Sequence, residues 1–169
     1  DCTMTSILKV STIQNTAGTA PTAGDLGLNV AGTVLQVVAQ TGSFSGTISS
    51  LDTYVDLTNG TLTITPTSAT SKILVTAGIY GTHQGEDINS RLRVTRDGTE
   101  LKVCSAYGGN GGGNRTWAAF GLYFLDSPAS TSQLTYKAQM SLTNSGGIGY
   151  SNLIIDTSSG GFTLLEIAG

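Results

Sequence analysis

The segment 115–142 sets the strongest limit on what this chain can fold into. It opens on an unbroken apolar run, Trp117-Ala-Ala-Phe-Gly-Leu-Tyr-Phe-Leu125, and closes on a segment of strict alternation. In the second half Leu134, Tyr136, Ala138, Met140 and Leu142 fall on one face, and Gln133, Thr135, Lys137, Gln139 and Ser141 on the other. A period of two with one polar face is the pattern of a strand half in water. Between the halves, Pro128 has no N–H to give a ladder, and the neighbouring Asp and Ser side chains bond back to local amides. The spacing predicts a long hairpin at the centre of an antiparallel domain. Because the apolar run does not alternate, its strand is expected to be covered on both faces: by a core on one side, and by a second sheet or a neighbouring subunit on the other.

Elsewhere the same grammar recurs. Val34, Leu35, Val37 and Val38 read as a first buried strand, and the segments 52–57, 61–65, 72–80, 91–95, 100–105, 150–156 and 161–168 read as further strands. Asn59-Gly60 and Asp97-Gly98 are the dipeptides that best tolerate two consecutive positive φ angles, so each predicts a two-residue hairpin turn. Segment 81–89 is polar and reads as a loop, as do 108–114 and 144–149, both rich in glycine. Only 11% of the 169 residues are charged and 23 are glycine, which suits strands joined by tight turns and not helices. The expected fold is all-β: an antiparallel, jelly-roll-like β-sandwich over residues 33–169. Residues 1–32 are expected to form an extended N-terminal arm and linker. Its apolar residues Ile7, Leu8, Val10 and Ile13 precede a small-residue stretch that cannot bury enough surface to order itself, so they are candidate anchors on a partner.

The formal net charge of −3 leaves no positive field to hold a phosphate backbone, so nucleic acid is not an expected partner. The apolar run 117–125 is far shorter than the roughly 20 residues that cross a bilayer, and no membrane insertion is expected. Cys2 and Cys104 are read as thiols rather than a bridge. His83, the single histidine, stands near Glu86 and Asp87 without a second nitrogen or sulfur ligand, and no Gly-x-Ser-x-Gly elbow occurs. Neither catalysis nor a cofactor is expected. Glu86, Asp87 and Asp126 lack the Asp-x-Asp-x-Asp spacing of a calcium loop. The glycines of 108–114 lack the Gly-Lys-Ser/Thr of a phosphate loop. What they permit is an adaptable tip flanked by aromatic residues, so His83, Tyr107, Asn110, Asn114 and Trp117 are the candidate recognition positions.

Several stretches carry a resemblance. Residues 6–18 (Ser6-Ile-Leu-Lys-Val-Ser-Thr-Ile-Gln-Asn-Thr-Ala-Gly18), 32–38, 63–75, 124–129 and 164–169 resemble small virion structural and tail-fibre proteins of marine tailed phages, of the cyanophage and pelagiphage type. Proteins of that pattern would begin at Met4, and Asp1, Cys2 and Thr3 depart from it. The resemblance implies a non-enzymatic virion component: a fibre or receptor-binding appendage attached by its arm, or a capsid decoration protein. It further implies a homo-oligomer, a trimer by analogy with fibre tips, with other virion proteins and a host surface glycan or protein as partners. A free glycan-binding domain is the third reading, from a different class.

Overall fold

A computed structural model describes residues 12–14, 17–21, 31–40, 44–48, 50–84, 88–108, 115–144 and 152–169. Nine strands occur among them: β1 (Val34–Ala39), β2 (Gly46–Ile48), β3 (Val55–Ile64), β4 (Lys72–Gln84), β5 (Ile88–Arg96), β6 (Thr99–Gly108), β7 (Arg115–Asp126), β8 (Leu134–Asn144) and β9 (Asn152–Ile167). One sheet has the order β1-β9-β4-β7, with β2 also paired to β9, and the other has the order β3-β8-β5-β6. Every pairing between these strands is antiparallel. Apart from the β5–β6 hairpin, successive strands from β3 onward alternate between sheets, which is the wrapping of a jelly roll. Alternation places Ile73, Val75, Ala77 and Ile79 of β4, Phe120 and Leu122 of β7, and Phe162 and Leu164 of β9 against Leu92, Val94, Tyr136, Ala138, Met140 and Leu142 of the opposite sheet, all buried.

Four sequence expectations are corrected. The segment 115–142 is not a hairpin: β7 pairs with β4, and β8 pairs with β3 and β5. The seven residues 127–133, with Ala129 at φ 50°, carry the chain from one sheet to the other. Asn59-Gly60 is not a turn either. It lies inside β3, where residues 57–60 bulge opposite Ala138 alone, between the pairs Asp56–Gln139 and Thr61–Lys137. Asn59 takes φ 59°, and a Cβ on Gly60 would sit 2.9 Å from the carbonyl oxygens of Ala138 and Leu57, so the bulge requires the glycine. The expected strands at 150–156 and 161–168 are one strand, β9, with a register shift where it passes Ile79 and Gly81. The expected buried strand at 34–38 is instead an edge, with Val34 and Val37 exposed. By contrast Asp97 and Gly98, at φ 48° and 84°, form the expected β5–β6 turn.

One end of the sandwich is closed by a polar row. Gln36, Glu166, Ile73 and Asp126 are cross-strand neighbours facing inward. The Asp126 carboxylate accepts from Arg96 Nη1 at 2.5 Å and from Tyr136 Oη at 2.6 Å, both on the opposite sheet. Burial, then the Asp126 carboxylate, push the Tyr136 hydroxyl pKa up, so it stays a donor. Glu166 accepts from Gln36 Nε2 at 2.7 Å and from the Thr67 backbone N–H and hydroxyl at 2.7 and 2.8 Å. Burial raises the Glu166 pKa, but these bonds and the nearby Ser71 hydroxyl, which falls outside hydrogen-bond geometry, outweigh it and hold the carboxyl below its ordinary value.

Two stability predictions come from these features. Gly60→Ala is expected to lower the unfolding free energy by about 1–3 kcal/mol, read by urea denaturation, because its Cβ meets backbone that cannot swing away. The Glu166 carboxylate, with its folded pKa depressed, contributes stability that is complete above pH 4.5 and disappears as pH falls through the lower folded value. Glu166→Gln is therefore expected to cost about 2 kcal/mol at pH 7 and progressively less as pH falls from 4.5 through that window, in parallel denaturation series.

Candidate functional site

The two sheets differ on their outer faces. On β3-β8-β5-β6 the outward side chains form a bonded polar mesh. Arg93 Nε donates to Gln139 Oε1 at 2.7 Å, and Gln139 Nε2 in turn donates to Asp56. Lys137 Nζ lies 2.6 Å from Asp56, Arg93 reaches Glu100 at 3.3 Å, and the Arg93 guanidinium stacks 3.6 Å over the Tyr54 ring. Hydrogen bonds from Lys137 and Gln139 hold the Asp56 carboxyl below its usual range. This face is complete in water.

The outer face of β1-β9-β4-β7 is the opposite. Its cross-strand rows run Val34–Ile167–Lys72, then Val37–Leu165–Leu74–Leu125, then Ala39–Thr163–Thr76–Tyr123, then Gly161–Gly78–Gly121. The aliphatic row crosses all four strands without a polar side chain. Its two ends, Val37 and Leu125, are 58% and 51% exposed, and Tyr123 is 74% exposed, so the band faces solvent in the single chain. Lys72 is the one charged residue in these four rows. Beyond the aliphatic band the glycine row leaves a shallow trough of about 360 Å³, floored by Gly78, Gly160 and Gly161 and bordered by Tyr80 and Ala119. Over residues 119–125 of that strand the core covers one face, and within one chain Tyr123 and Leu125 on the other face are exposed.

The candidate residues named from sequence sit elsewhere. His83 is not in a loop: it lies in β4, paired with Thr116 of β7 and Leu153 of β9, and Trp117 of β7 pairs with Thr82. Tyr107, 61% exposed, is near the end of β6. The end of β4, the start of β7 and the end of β6 lie at one end of the sandwich, so the backbone brings His83, Tyr107 and Trp117 to a common pole. Asn110 and Asn114 fall outside the described residues, as do Ile7, Leu8 and Val10 of the arm, Cys2, Glu86 and Asp87. Ile13 is 55% exposed. Asp126 is engaged by Arg96 and Tyr136, and no group of three or more His, Cys, Asp or Glu suited to a metal occurs among the described residues. Cys104 is a free, half-buried thiol whose pKa is pushed up by burial.

No protein-family model and no curated protein matches this chain. Among solved structures, a chain of infectious bursal disease virus (Gx strain) is 14% identical with a TM-score of 0.45, over 79% of this chain and 32% of that one. Eiger TNF from S. frugiperda is 12% identical with a TM-score of 0.46, over 80% of this chain and 94% of that one. The VP2 subviral particle of infectious bursal disease virus gives 11% identity and a TM-score of 0.34, over 79% and 37%. The chain spans about a third of the length of the viral chains it matches.

From the residues a second apolar face is expected for the strand at 117–125, and not for its neighbours β4 and β9. The signal was present: Ile73-Leu74 and Leu164-Leu165 put aliphatic side chains on both faces of one strand. Because Val37 and Leu125 gain little burial within one chain, Val37→Thr and Leu125→Thr are each expected to change the unfolding free energy by less than about 0.5 kcal/mol in dilute solution, read by chemical denaturation.

Proposed function

We propose that this chain is a structural protein of a virus particle: a self-associating, non-enzymatic surface appendage of the fibre or receptor-binding kind, attached through residues 1–32. The observation that carries the reading is a two-ended layout. The chain enters the sandwich where Gly32 N–H donates to Ala168 O and Ala168 N–H donates to Thr33 O, beside the polar row that closes that end. The aromatic-bearing strand ends, with His83, Tyr107 and Trp117, lie at the other end. At about 3.3 Å per residue the length of β4 puts roughly 40 Å between the two poles. A body held at one pole offers the opposite one to whatever the particle meets. The resemblance of residues 6–18, 32–38 and 63–75 to phage virion proteins supplies the setting, and the engaged state of Asp126 gives the described part of the fold a structural use for that carboxylate.

Deleting residues 1–32 is expected to leave a folded domain that no longer joins purified particles, scored by circular dichroism and by particle sedimentation. Imaging of particles carrying a tag inserted at 108–114 is expected to show the tag distal to the particle body. A tag lying flat against a shell would favour the decoration reading, and a protein absent from purified particles would overturn the virion reading altogether.

A further inference from the structure

We infer that the outer face of the β1-β9-β4-β7 sheet is the contact between copies of this chain, with the glycine row as the line of closest approach. The inference deepens the self-association in the function proposed above and rests on that part of it alone.

Gly78, Gly121 and Gly161 are cross-strand neighbours on this face. Among the described residues a Cβ built on Gly78 or on Gly161 meets nothing within 4 Å, and neither residue has a positive φ. Nothing among the described residues therefore calls for glycine at either place, although glycine weakens a strand interior by about 0.5–1 kcal/mol relative to alanine. Gly160, next along β9, is different: its Cβ would strike Gly78 O at 2.7 Å and the Phe44 ring at 3.0 Å, so the fold itself needs it. Bare backbone at two open positions, side by side on one face, is what close approach of another surface requires. The Tyr123 ring lies over the third, with Cε2 3.0 Å from a Cβ placed on Gly121, and is itself 74% exposed.

Electrostatics chooses the occupant. A surface of one predominant charge repels its own copy, whereas an apolar face with almost no charge meets its copy without that penalty and without charged groups to desolvate. Within these rows only Lys72, at one margin, is charged, whereas the mesh on the opposite sheet carries Asp56, Arg93, Glu100 and Lys137. A partner of opposite charge would have little here to grip. Size agrees: four strands about 4.8 Å apart and nine residues of β4 at about 3.3 Å each make a face near 500 Å² per chain. Two such faces total about 1,000 Å², the lower bound for a specific contact, and an aliphatic band crosses each of them.

The test uses the full chain in isolation, away from any particle. Light scattering coupled to gel filtration is expected to find a homo-oligomer at micromolar concentration. Gly78→Val and Gly161→Val place a strand-favouring side chain in open space, so each is expected to remain folded by circular dichroism, unfold at no lower denaturant concentration in the dilute limit, and run as a monomer. Leu125→Lys, at an exposed margin of the same face, is expected to give the same dissociation without touching the core. A wild-type chain that is monomeric up to tens of micromolar, or glycine variants that associate as the wild type does, would overturn the inference. Neither result bears on whether the chain is found on a particle, which the imaging experiment decides separately.

Discussion

The structure depends on how one end of the sandwich is fastened. Ile73 sits near the start of β4, the strand paired on both sides, and its two cross-strand neighbours in the inward row are Glu166 and Asp126. One carboxylate ties its sheet to the crossing segment at Thr67 and to Gln36, and the other ties it to Arg96 and Tyr136 of the facing sheet. Each is largely shielded from water, and a shielded carboxylate is tolerated only with hydrogen-bond donors around it. That requirement fixes the relative position of the sheets more sharply than aliphatic packing does, since apolar contacts are non-directional and these bonds are not. With the end fastened, the rows above it fall into register, and the outward rows are set as a consequence.

The contrast between the two outer faces follows from the same alternation. In β8 the pattern Leu134, Tyr136, Ala138, Met140 leaves Thr135, Lys137 and Gln139 on the outer face, where Lys137 and Gln139 join the mesh around Asp56. In β4 and β9 both phases are apolar near Ile73-Leu74 and Leu164-Leu165, so the sheet has an apolar skin on each side. Exposed salt bridges of the Asp56–Lys137 type add little stability, but they keep a surface wet. The sheet without them is the one that gains by being covered.

Much of this was legible in the residues. The all-strand architecture, the inward residues of β8 and the Asp97-Gly98 turn follow from period-two alternation and from the need for positive φ. Local chemistry does not report which strands become neighbours. Residues 127–133 look like a hairpin connection by composition, and the pairing of β7 with β4 and of β8 with β3 and β5 shows that the chain changes sheets there. Asn59-Gly60 misleads for a related reason, because the backbone angles that close a turn also make a bulge. The glycines at 78 and 161 were unreadable in isolation. Their meaning lies in being side by side, and that is a property of pairing between β4 and β9, eighty-odd residues apart.

The bulge in β3 reaches beyond local geometry. β3 borders its sheet, and a border strand with a regular row of free amides and carbonyls is a template on which further chains can stack without limit. Four residues set against Ala138 break that row in the middle, leaving no uninterrupted ladder along β3 for an incoming strand to read. Growth by endless strand addition is thereby discouraged along that margin, and a concentrated population of these chains is steered away from amyloid-like stacking.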